Sequence, residues 1–366
     1  MNRAAVLWGA HQLTIEEIVF DEPSTFEVLV QVAASGLCHS DYHFIDGTLS
    51  SRFPRILGHE VSGTVEKVGD GVTEFAVGDH VVACFGASCG GCASCNAGRP
   101  QLCLRRASYW SRPLAERPRV TTKGQAIDQG SGIGGLADHI VVHEKALVKI
   151  RPEMPLLPAA ILGCAVLTGT GAVFRTANAT AGSRVSVIGC GAVGISIIQA
   201  ARIVGCSQVI AVDRIAAKLH EALRFGATDV VNASEGDAVT AIEDLTNGEG
   251  VDFAFEAIGS TATVEQAIRM TGLGGETIVV GIFSGDAKLT ISPRDLVVAE
   301  KVLRGSYLGS SDFRSEIPRL VDLYLEGTLL LDEMLSPRIR LEQVAQGFEI
   351  MARGEALRPL VEFGTA

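Results

Sequence analysis

The stretch Cys38-His39-Ser40-Asp41-Tyr42-His43 brings together a thiol, two imidazoles, a hydroxyl and a carboxylate. It follows directly on an apolar, strand-like run at residues 28–32. A thiolate is a ligand that zinc prefers, and an imidazole or a second thiolate from elsewhere in the chain would extend such a site. The hydroxyl of Ser40 and the imidazole of His43 could pass a proton away from the metal. The stretch therefore indicates one half of a metal centre with a proton path.

A second candidate ligand stands about twenty residues further along, in Gly58-His59-Glu60. His59 offers a ring nitrogen, and Glu60 beside it is a carboxylate that could orient a metal ligand. A lone histidine is more often a surface residue or a hydrogen-bonded core residue. On the residues alone, that alternative stays open for His59.

Four cysteines form a compact group with the pattern C-x2-C-x2-C-x7-C, and Gly90 and Gly91 would let the loop wrap around an ion. Four sulfur ligands leave no open coordination position, so the pattern predicts a structural zinc site. An iron–sulfur cluster also uses four thiolates, but the bacterial ferredoxin run ends in a shorter spacing followed by Cys-Pro. We therefore favour zinc, held by Cys89, Cys92, Cys95 and Cys103.

The middle of the chain carries the pattern G-x-G-x-x-G, as Gly189-Cys190-Gly191-Ala192-Val193-Gly194. It lies between a predicted strand at residues 184–188 and an apolar helix, and the next predicted strand, at residues 208–212, ends at Asp213. In that setting the pattern predicts dinucleotide binding, because the glycines let the backbone approach a pyrophosphate at the start of a helix. Asp213 would bind a ribose 2′-hydroxyl and repel a 2′-phosphate, which favours NAD over NADP. Arg214 argues for NADP instead, because an arginine at this position can bind a 2′-phosphate.

Two kinds of fold are needed to position these groups. Short β-rich runs separated by turn residues predict a small antiparallel barrel in the first part of the chain. From residue 184 the pattern changes to alternating strands and helices, and six such strands predict a doubly wound parallel sheet. A tail with a helix near residues 341–348 and a strand at 360–363 is predicted to return to the first domain. The predicted domains are residues 1–165 with a structural-zinc lobe at 84–105, residues 166–307, and residues 308–366 completing the first domain.

Composition limits the partners that we expect. The 366 residues carry a net charge of −11 without a block of lysine or arginine, which argues against nucleic acid and anionic membranes. The first residues lack the apolar core of a signal peptide, and glycines and polar residues interrupt the most apolar window, residues 185–204. Nine cysteines without a signal peptide indicate a reducing compartment. We therefore expect a cytoplasmic protein that does not span a membrane.

Taken in order, these motifs resemble those of the zinc-dependent medium-chain alcohol dehydrogenases over essentially the whole chain. The stretch at Cys38, Gly58-His59-Glu60, the four-cysteine lobe, Gly163-Cys164 and the glycine motif all occur in that family's order. The resemblance implies an α/β protein with a GroES-like antiparallel β-barrel catalytic domain and a doubly wound Rossmann-fold coenzyme domain. It implies two zinc ions per chain and NAD as cofactors. The long loop resembles the dimeric branch of the family, which implies a homodimer, with a tetramer as the alternative.

The resemblance also implies roles for individual residues. Cys38, His59 and Cys164 would hold the catalytic zinc, although spacing alone would not select Cys164, since a buried thiol is an ordinary core residue. Ser40 would relay the alcohol proton to His43, and Asp41 and Glu60 would orient the site. The cofactor-binding positions implied are His39, Thr168, Gly189, Gly191, Ala192, Val193, Gly194, Asp213, Arg214, Lys218, Val280, Ile282 and Arg358, and the pocket positions are Phe85, Ile282 and Tyr307. For Lys218 and Arg358 the alternative is a solvated surface charge.

The implied reaction is reversible hydride transfer between a primary alcohol and NAD, giving an aldehyde and NADH. Residues 104–131 show no clear period and are interpreted as a loop, unusually long for an unstructured connection, which indicates a lid, an interface or a pocket wall. Within them, Gly130 and Ser131 stand where some relatives carry bulky apolar residues, which would open the pocket to medium-sized aliphatic or aromatic alcohols.

Two other functions stay open at this point. A thiol-adduct formaldehyde dehydrogenase would need cationic residues to hold a carboxylate, for which Arg105, Arg106 or Arg112 could serve. A non-catalytic relative that binds zinc and a nucleotide is the second alternative. The complete set of catalytic residues in this chain argues against it.

Overall fold

The structure, a computed structural model, describes residues 2–112 and 118–364. The chain forms two compact units, one made of Met1–Ala165 with Asp312–Ala366 and the other of Val166–Ser311. The sequence placed the corresponding boundaries after residues 165 and 307.

The first unit consists mainly of short strands. Its elements before the second unit are β1 (Asn2–Leu7), β2 (Leu13–Phe20), β3 (Glu27–Gly36), α1 (His39–Ile45), β4 (Arg55–Ile56), β5 (Glu60–Val68), β6 (His80–Ala83), α2 (Ala93–Asn96), β7 (Val120–Thr122), β8 (Gln125–Ala126), β9 (Asp128–Gln129), β10 (His139–His143), β11 (Leu147–Lys149) and α3 (Leu156–Ala159). Short 3-10 helices lie at Pro100–Leu102, Arg106–Tyr109, Gly130–Gly132, Glu144–Ala146 and Ala160–Gly163.

The second unit alternates strands and helices. It contains α4 (Ala165–Gly171), a π-helix (Ala172–Ala177), β12 (Arg184–Ile188), α5 (Ala192–Val204), β13 (Gln208–Asp213), α6 (Ala216–Arg224), β14 (Asp229–Asn232), α7 (Ala238–Leu245), β15 (Val251–Glu256), α8 (Thr261–Met270), β16 (Thr271–Val279), α9 (Pro293–Val298), β17 (Val302–Gly305) and a 3-10 turn (Leu308–Ser310). The chain then returns to the first unit with α10 (Phe313–Leu325), β18 (Leu335–Ile339), α11 (Val344–Ala352) and β19 (Arg358–Glu362), and with 3-10 turns at Asp332–Met334 and Leu341–Gln343.

The strands of the first unit form two sheets, with the orders β8-β7-β2-β1-β4-β9 and β11-β6-β5-β3-β19-β18, and β10 also pairs with β3. All pairs are antiparallel except β4–β9 and β18–β19. Val28, Val30 and Val32 alternate along β3 and are all buried in one apolar cluster, because successive side chains of a strand point to opposite faces. The predicted antiparallel architecture is confirmed, and β3 leads from this core directly to Cys38.

The second unit is built on a six-stranded sheet in which every pair is parallel, in the order β14-β13-β12-β15-β16-β17. The strand order reverses beside β12, which is where doubly wound folds bind their ligands. Apolar residues such as Val185 and Val187 are buried along the central strand. The predicted doubly wound sheet is confirmed.

The sequence indicated a long loop without a clear period at residues 104–131, but most of its described part lies in short strands and 3-10 helices, while residues 113–117 lie outside the described residues. Strands β7 and β8 form a hairpin whose turn contains Lys123 and Gly124, and β9 joins the first sheet beside β4. These strands are two or three residues long, too short to produce a visible period. The arginines on either side of the undescribed segment, Arg112 and Arg119, both bind the buried carboxylate of Glu27 on β3.

Within the described residues, no single helix is both long and apolar enough to cross a membrane. The consecutive helical segments Leu156–Gly163 and Ala165–Ala177 meet the criteria of length and composition only as a pair, joined through a sharp bend.

Candidate active site and metal centres

Three of the predicted ligands come together in the first unit from distant parts of the chain. Cys38 occupies the N-cap position of α1 in extended backbone, His59 immediately precedes β5, and Cys164 follows a 3-10 helix. One sulfur or nitrogen atom of each residue lies within 4.8 Å of the corresponding atoms of the other two. Two thiolates and one imidazole suit a tetrahedral zinc ion and leave its fourth position for a substrate.

The pairing of β3 with β5 explains why Cys38 and His59 meet. These strands are antiparallel and place Gly36 opposite Glu60, so the end of one and the start of the other lie at the same edge. A Cβ atom on Gly36 would stand 2.2 Å from Oε2 of Glu60, so a side chain there would displace the Glu60 carboxylate.

The Asp41 carboxylate orients His59. Oδ2 of Asp41 lies 3.0 Å from Nδ1 of His59, and Oδ1 accepts a hydrogen bond from the amide of Gly58. This arrangement leaves Nε2 of His59 on the side of the two thiols. Burial would lower the pKa of His59, but the Asp41 carboxylate and the Cys38 thiolate outweigh it, so the pKa lies well above its usual value. An imidazole held in this way by a carboxylate is a common support of a zinc ligand.

The thiols of Cys38 and Cys164 shift each other's pKa. A hydrogen bond from Cys164, with help from His59 and Arg358, outweighs burial and lowers the pKa of Cys38 well below its usual value. The same hydrogen bond, together with burial, raises the pKa of Cys164. A divalent cation between them would favour the thiolate form of both.

Ser40 stands beside the metal-binding group on α1. Its hydroxyl oxygen lies 3.1 Å from Sγ of Cys38 and 3.3 Å from Nε2 of His59. His43 follows three positions later, on the same face of the helix, and its side chain is 27% exposed. The hydroxyl and the imidazole therefore stand in the order that a proton path from the site to solvent requires.

Glu60 and Arg358 form a second buried layer. Oε1 of Glu60 accepts a hydrogen bond from the amide of Ala165, and Oε2 lies 3.5 Å from Nε of Arg358. Burial raises the pKa of Glu60 to about 7, although Arg358 opposes the shift. Arg358 is buried and donates a hydrogen bond to the carbonyl of Leu37, so the surface alternative is wrong for this residue. Its contact with a pyrophosphate stays a prediction.

Two further predicted residues lie near α1 and β6. His39 is exposed at the first position of α1. The ring of Phe85 meets the ring of His59 edge-on, with the ring centroids 5.4 Å apart. Phe85 is therefore an apolar neighbour of the metal-binding group, as a wall of a substrate pocket would be.

The four cysteines of the lobe converge around one point. Sγ of Cys92 lies 3.5 Å from Sγ of Cys95 and 4.0 Å from Sγ of Cys103, and Cys89 is 4.0 Å from Cys95. Backbone amides of Cys95 and Leu104 lower the pKa of Cys92 to about 6. Amides of this kind favour thiolates, and four thiolates in this arrangement suit a structural zinc ion.

The glycine motif of the second unit has the geometry that a dinucleotide needs. Gly189 has φ of +97°, and a Cβ atom on Gly194 would stand 1.8 Å from the carbonyl oxygen of Gly189. By contrast, a Cβ atom on Gly191 would meet nothing within 4 Å, so there is open space beside the start of α5. Asp213, at the end of β13, accepts a hydrogen bond from the amide of Cys190. The acidic residue therefore borders the glycine loop.

The remaining predicted positions of the second unit differ in exposure. Ala192 and Val193 form the first turn of α5, and the backbone amides at the start of a helix can bind an anion. Arg214 and Ile282 are exposed, and Val280 is buried. Thr168, Lys218 and Tyr307 are partly buried, in α4, in α6 and after β17.

Sequence reasoning missed two groups in the first unit. One is the binding of Arg112 and Arg119 to Glu27, which no local pattern signals. The other is Arg55, which is buried beside α1. The sequence feature that could have indicated it is a charged residue inside the otherwise apolar run Pro54-Arg55-Ile56-Leu57.

Comparison with known proteins decides the family. Residues 24–152 match the alcohol dehydrogenase GroES-like domain, and residues 192–326 match the zinc-binding dehydrogenase family. The chain is 37% identical to putative alcohol dehydrogenase D of Mycobacterium tuberculosis, over 98% of each chain. It is 36% identical to S-(hydroxymethyl)glutathione dehydrogenase of Saccharomyces cerevisiae, over 98% of this chain and 95% of the relative. The chain belongs to the zinc-dependent alcohol dehydrogenases.

This alcohol dehydrogenase is also similar in structure to the benzyl alcohol dehydrogenase of Acinetobacter calcoaceticus, with a TM-score of 0.93, 30% sequence identity and full coverage of both chains. The predicted GroES-like and coenzyme-binding folds are confirmed, and so is the prediction of an oxidoreductase that uses zinc and a nicotinamide dinucleotide. When bound, zinc supplies a Lewis acid that makes an alcohol easier to deprotonate.

Proposed function

We propose that this alcohol dehydrogenase oxidises medium-sized primary alcohols, aliphatic or aromatic, to aldehydes with NAD, and catalyses the reverse reaction. The observation that carries the proposal is the grouping of Cys38, His59 and Cys164 with the hydroxyl of Ser40 beside them. These three ligands would hold a zinc ion with one coordination position open, and zinc would supply Lewis-acid chemistry there. The hydroxyl of Ser40 then accepts the alcohol proton.

In this proposal the chain's own residues carry the proton and hold the site in shape. Ser40 passes the alcohol proton toward His43, which exchanges it with solvent. Asp41 and Glu60 keep the ligands in orientation. The four cysteines of the lobe hold a second, structural zinc ion.

NAD is the proposed cofactor because of Asp213. Its carboxylate borders the glycine loop, where it binds a ribose 2′-hydroxyl and repels a 2′-phosphate. The exposed side chain of Arg214 argues in favour of NADP.

The proposed size of the substrate rests on Gly130 and Ser131, small residues where some relatives carry bulky ones. The similarity to a benzyl alcohol dehydrogenase supports an aromatic alcohol as one substrate. We further propose that Phe85, Ile282 and Tyr307 line the pocket. The chain works as a cytoplasmic homodimer in this proposal.

A second candidate is a thiol-adduct formaldehyde dehydrogenase, favoured by the 36% identity to S-(hydroxymethyl)glutathione dehydrogenase of Saccharomyces cerevisiae. Of the three arginines considered for its carboxylate, Arg112 is committed to Asp21 and Glu27 and its side chain is 5% exposed. Arg105 and Arg106 would have to hold the adduct instead.

NADH formation with ethanol, hexanol, octanol, benzyl alcohol and cyclohexanol, and with formaldehyde in the presence and absence of glutathione, tests both candidates. We expect rates that rise with chain length or aromatic bulk. We also expect a loss of kcat of about a hundredfold or more in Ser40→Ala, with activity retained in Ser40→Thr. Activity confined to formaldehyde with glutathione would move the assignment to the second candidate. Absence of any turnover by a protein that binds zinc and NADH would favour a non-catalytic relative.

A further inference from the structure

Arg55 is a buried cation whose charge is only partly compensated. The residue is 7% exposed, and one terminal nitrogen donates a hydrogen bond to the hydroxyl of Ser51. The other terminal nitrogen lies 3.7 Å from Oδ2 of Asp128, whose side chain is 45% exposed. Nε of Arg55 has no hydrogen-bond partner among the described residues. A buried charge is costly unless it is paired and hydrogen-bonded, so this guanidinium retains the capacity to bind an anion.

Other well-buried arginines of the first unit are better compensated. Arg119 is held by the buried carboxylate of Glu27 at 2.6 Å. Burial would lower the pKa of Arg358, but Glu60, Cys38 and Cys164 raise it above its usual value. At Arg55 the balance is reversed, because burial outweighs Asp128 and Asp41 and lowers the pKa. Nε of Arg358 also lacks a hydrogen-bond partner among the described residues, but it faces Oε2 of Glu60 at 3.5 Å, whereas Nε of Arg55 has no such carboxylate beside it.

Arg55 packs against α1, the helix that carries Ser40. Its guanidinium carbon lies 4.4 Å from the centre of the Phe44 ring. Phe44 follows Ser40 by four positions, so the two side chains share one face of α1 and are separated by about 6 Å along the helix axis. Phe44, which contacts the guanidinium, and Ser40, which stands beside Cys38 and His59, therefore mark two points about one helical turn apart on α1.

Gly130 lies beside the guanidinium. A Cβ atom on Gly130 would stand at ordinary contact distance from Arg55, 3.5 Å from Nη2 and 3.6 Å from Nε, but only 2.7 Å from the carbonyl oxygen of Ile56. The close approach to Ile56 favours glycine here, so no side chain covers the guanidinium from this position. The parallel pairing of β4 with β9 keeps Arg55 beside this segment.

We propose that Arg55 binds the carboxylate of alcohol substrates whose acid group and hydroxymethyl group are separated by about the length of a benzene ring. The planar fork of a guanidinium matches a carboxylate and gives strong, charge-assisted hydrogen bonds. The carboxylate is unchanged in the reaction and serves only to bind and orient the substrate. This inference rests on the proposed function and names the substrate class of the same site.

The test compares 4-(hydroxymethyl)benzoate with its methyl ester as substrates of the zinc-loaded enzyme. The wild type should have a kcat/KM at least tenfold higher for the acid. In Arg55→Met that preference should fall by tenfold to a hundredfold, mainly through KM, because hydrogen bonds to a charged group are lost. The kcat/KM of Arg55→Met for the ester should differ from the wild-type value by less than about threefold. Arg55→Lys should retain part of the preference, since it keeps the charge but not the fork.

Arg52→Met is the matched control, since it removes an exposed arginine three positions away and should leave the preference unchanged. If Arg55→Met lowers kcat/KM equally for the acid and the ester, or if the wild type prefers the ester, Arg55 has only a structural role and the inference is overturned.

Calorimetric titration of the acid into the enzyme with NADH, where no oxidation can occur, separates this inference from the proposed function. If binding of the acid depends on Arg55 but the enzyme oxidises no alcohol, the proposed function is contradicted and the binding role of Arg55 is not. If the enzyme oxidises the alcohol series but the acid binds equally well to the wild type and to Arg55→Met, this inference is contradicted and the proposed function is not.

Discussion

Two carboxylates on and just after α1 show how strongly the surroundings of a residue determine its role. Asp41 is buried and contacts both Nδ1 of His59 and the amide of Gly58. Asp46, at the end of the same helix, faces His43 at 3.8 Å and is partly exposed. Only the first lies against a proposed zinc ligand, so a change of charge should affect zinc binding at Asp41 and not at Asp46.

Asp41→Asn tests this difference. The amide oxygen of asparagine can still accept from Gly58, but the negative charge that holds the His59 ring is lost. We expect the affinity for the catalytic zinc to fall about tenfold to a hundredfold. Competition with a chelator, followed by metal analysis, measures this directly. Asp46→Asn should retain zinc like the wild type, and equal retention by the Asp41 variant would contradict the proposed role of the carboxylate.

At the scale of elements, β3 connects the site to the long loop. Its last residues lead to Cys38, and its first residue, Glu27, receives Arg112 and Arg119 from the two sides of the undescribed segment. Oε1 of Glu27 lies 2.6 Å from Arg119, and Oε2 lies 2.6 Å from Arg112. Burial would raise the pKa of Glu27, but the two arginines outweigh it and lower the pKa. The loop is therefore attached to the sheet by a carboxylate that must be ionised.

Glu27→Gln should destabilise the protein by about 3–5 kcal/mol at neutral pH, because two buried cations lose their partner. Since the pKa of Glu27 is lower in the folded state than in the unfolded state, its contribution is complete above the unfolded value and is lost as the pH falls through the folded value. The difference in unfolding free energy between wild type and variant should therefore shrink below about pH 4. Urea unfolding over a pH series measures it. Glu22→Gln, at an exposed position, is the control, and a difference that is the same at every pH would contradict the ion pair.

For the whole molecule, local motifs were predictable and long-range contacts were not. The glycine motif and the four-cysteine lobe each lie within a short stretch, so spacing alone indicates their chemistry. Cys164 meets Cys38 only because the fold closes across more than a hundred residues, and spacing could not select it from the other cysteines outside the four-cysteine lobe. The partners of Arg55 and Glu27 are likewise set by pairing between strands. The hairpin of β7 and β8 was missed because such short strands have no period.

Replacing one ligand of each proposed zinc site should show that the two sites have different roles. Both Cys164→Ser and Cys103→Ser should retain about one zinc per chain in place of two. Cys164→Ser should lose alcohol oxidation, because the position that binds the alcohol goes with its metal. Cys103→Ser should instead lower the Tm, because the lobe loses the ion that its four thiolates hold. Cys84→Ala is the matched control, since Cys84 is buried outside both groups and burial raises its pKa to about 12. Two zinc ions in either serine variant, measured by elemental analysis, would refute the corresponding ligand set.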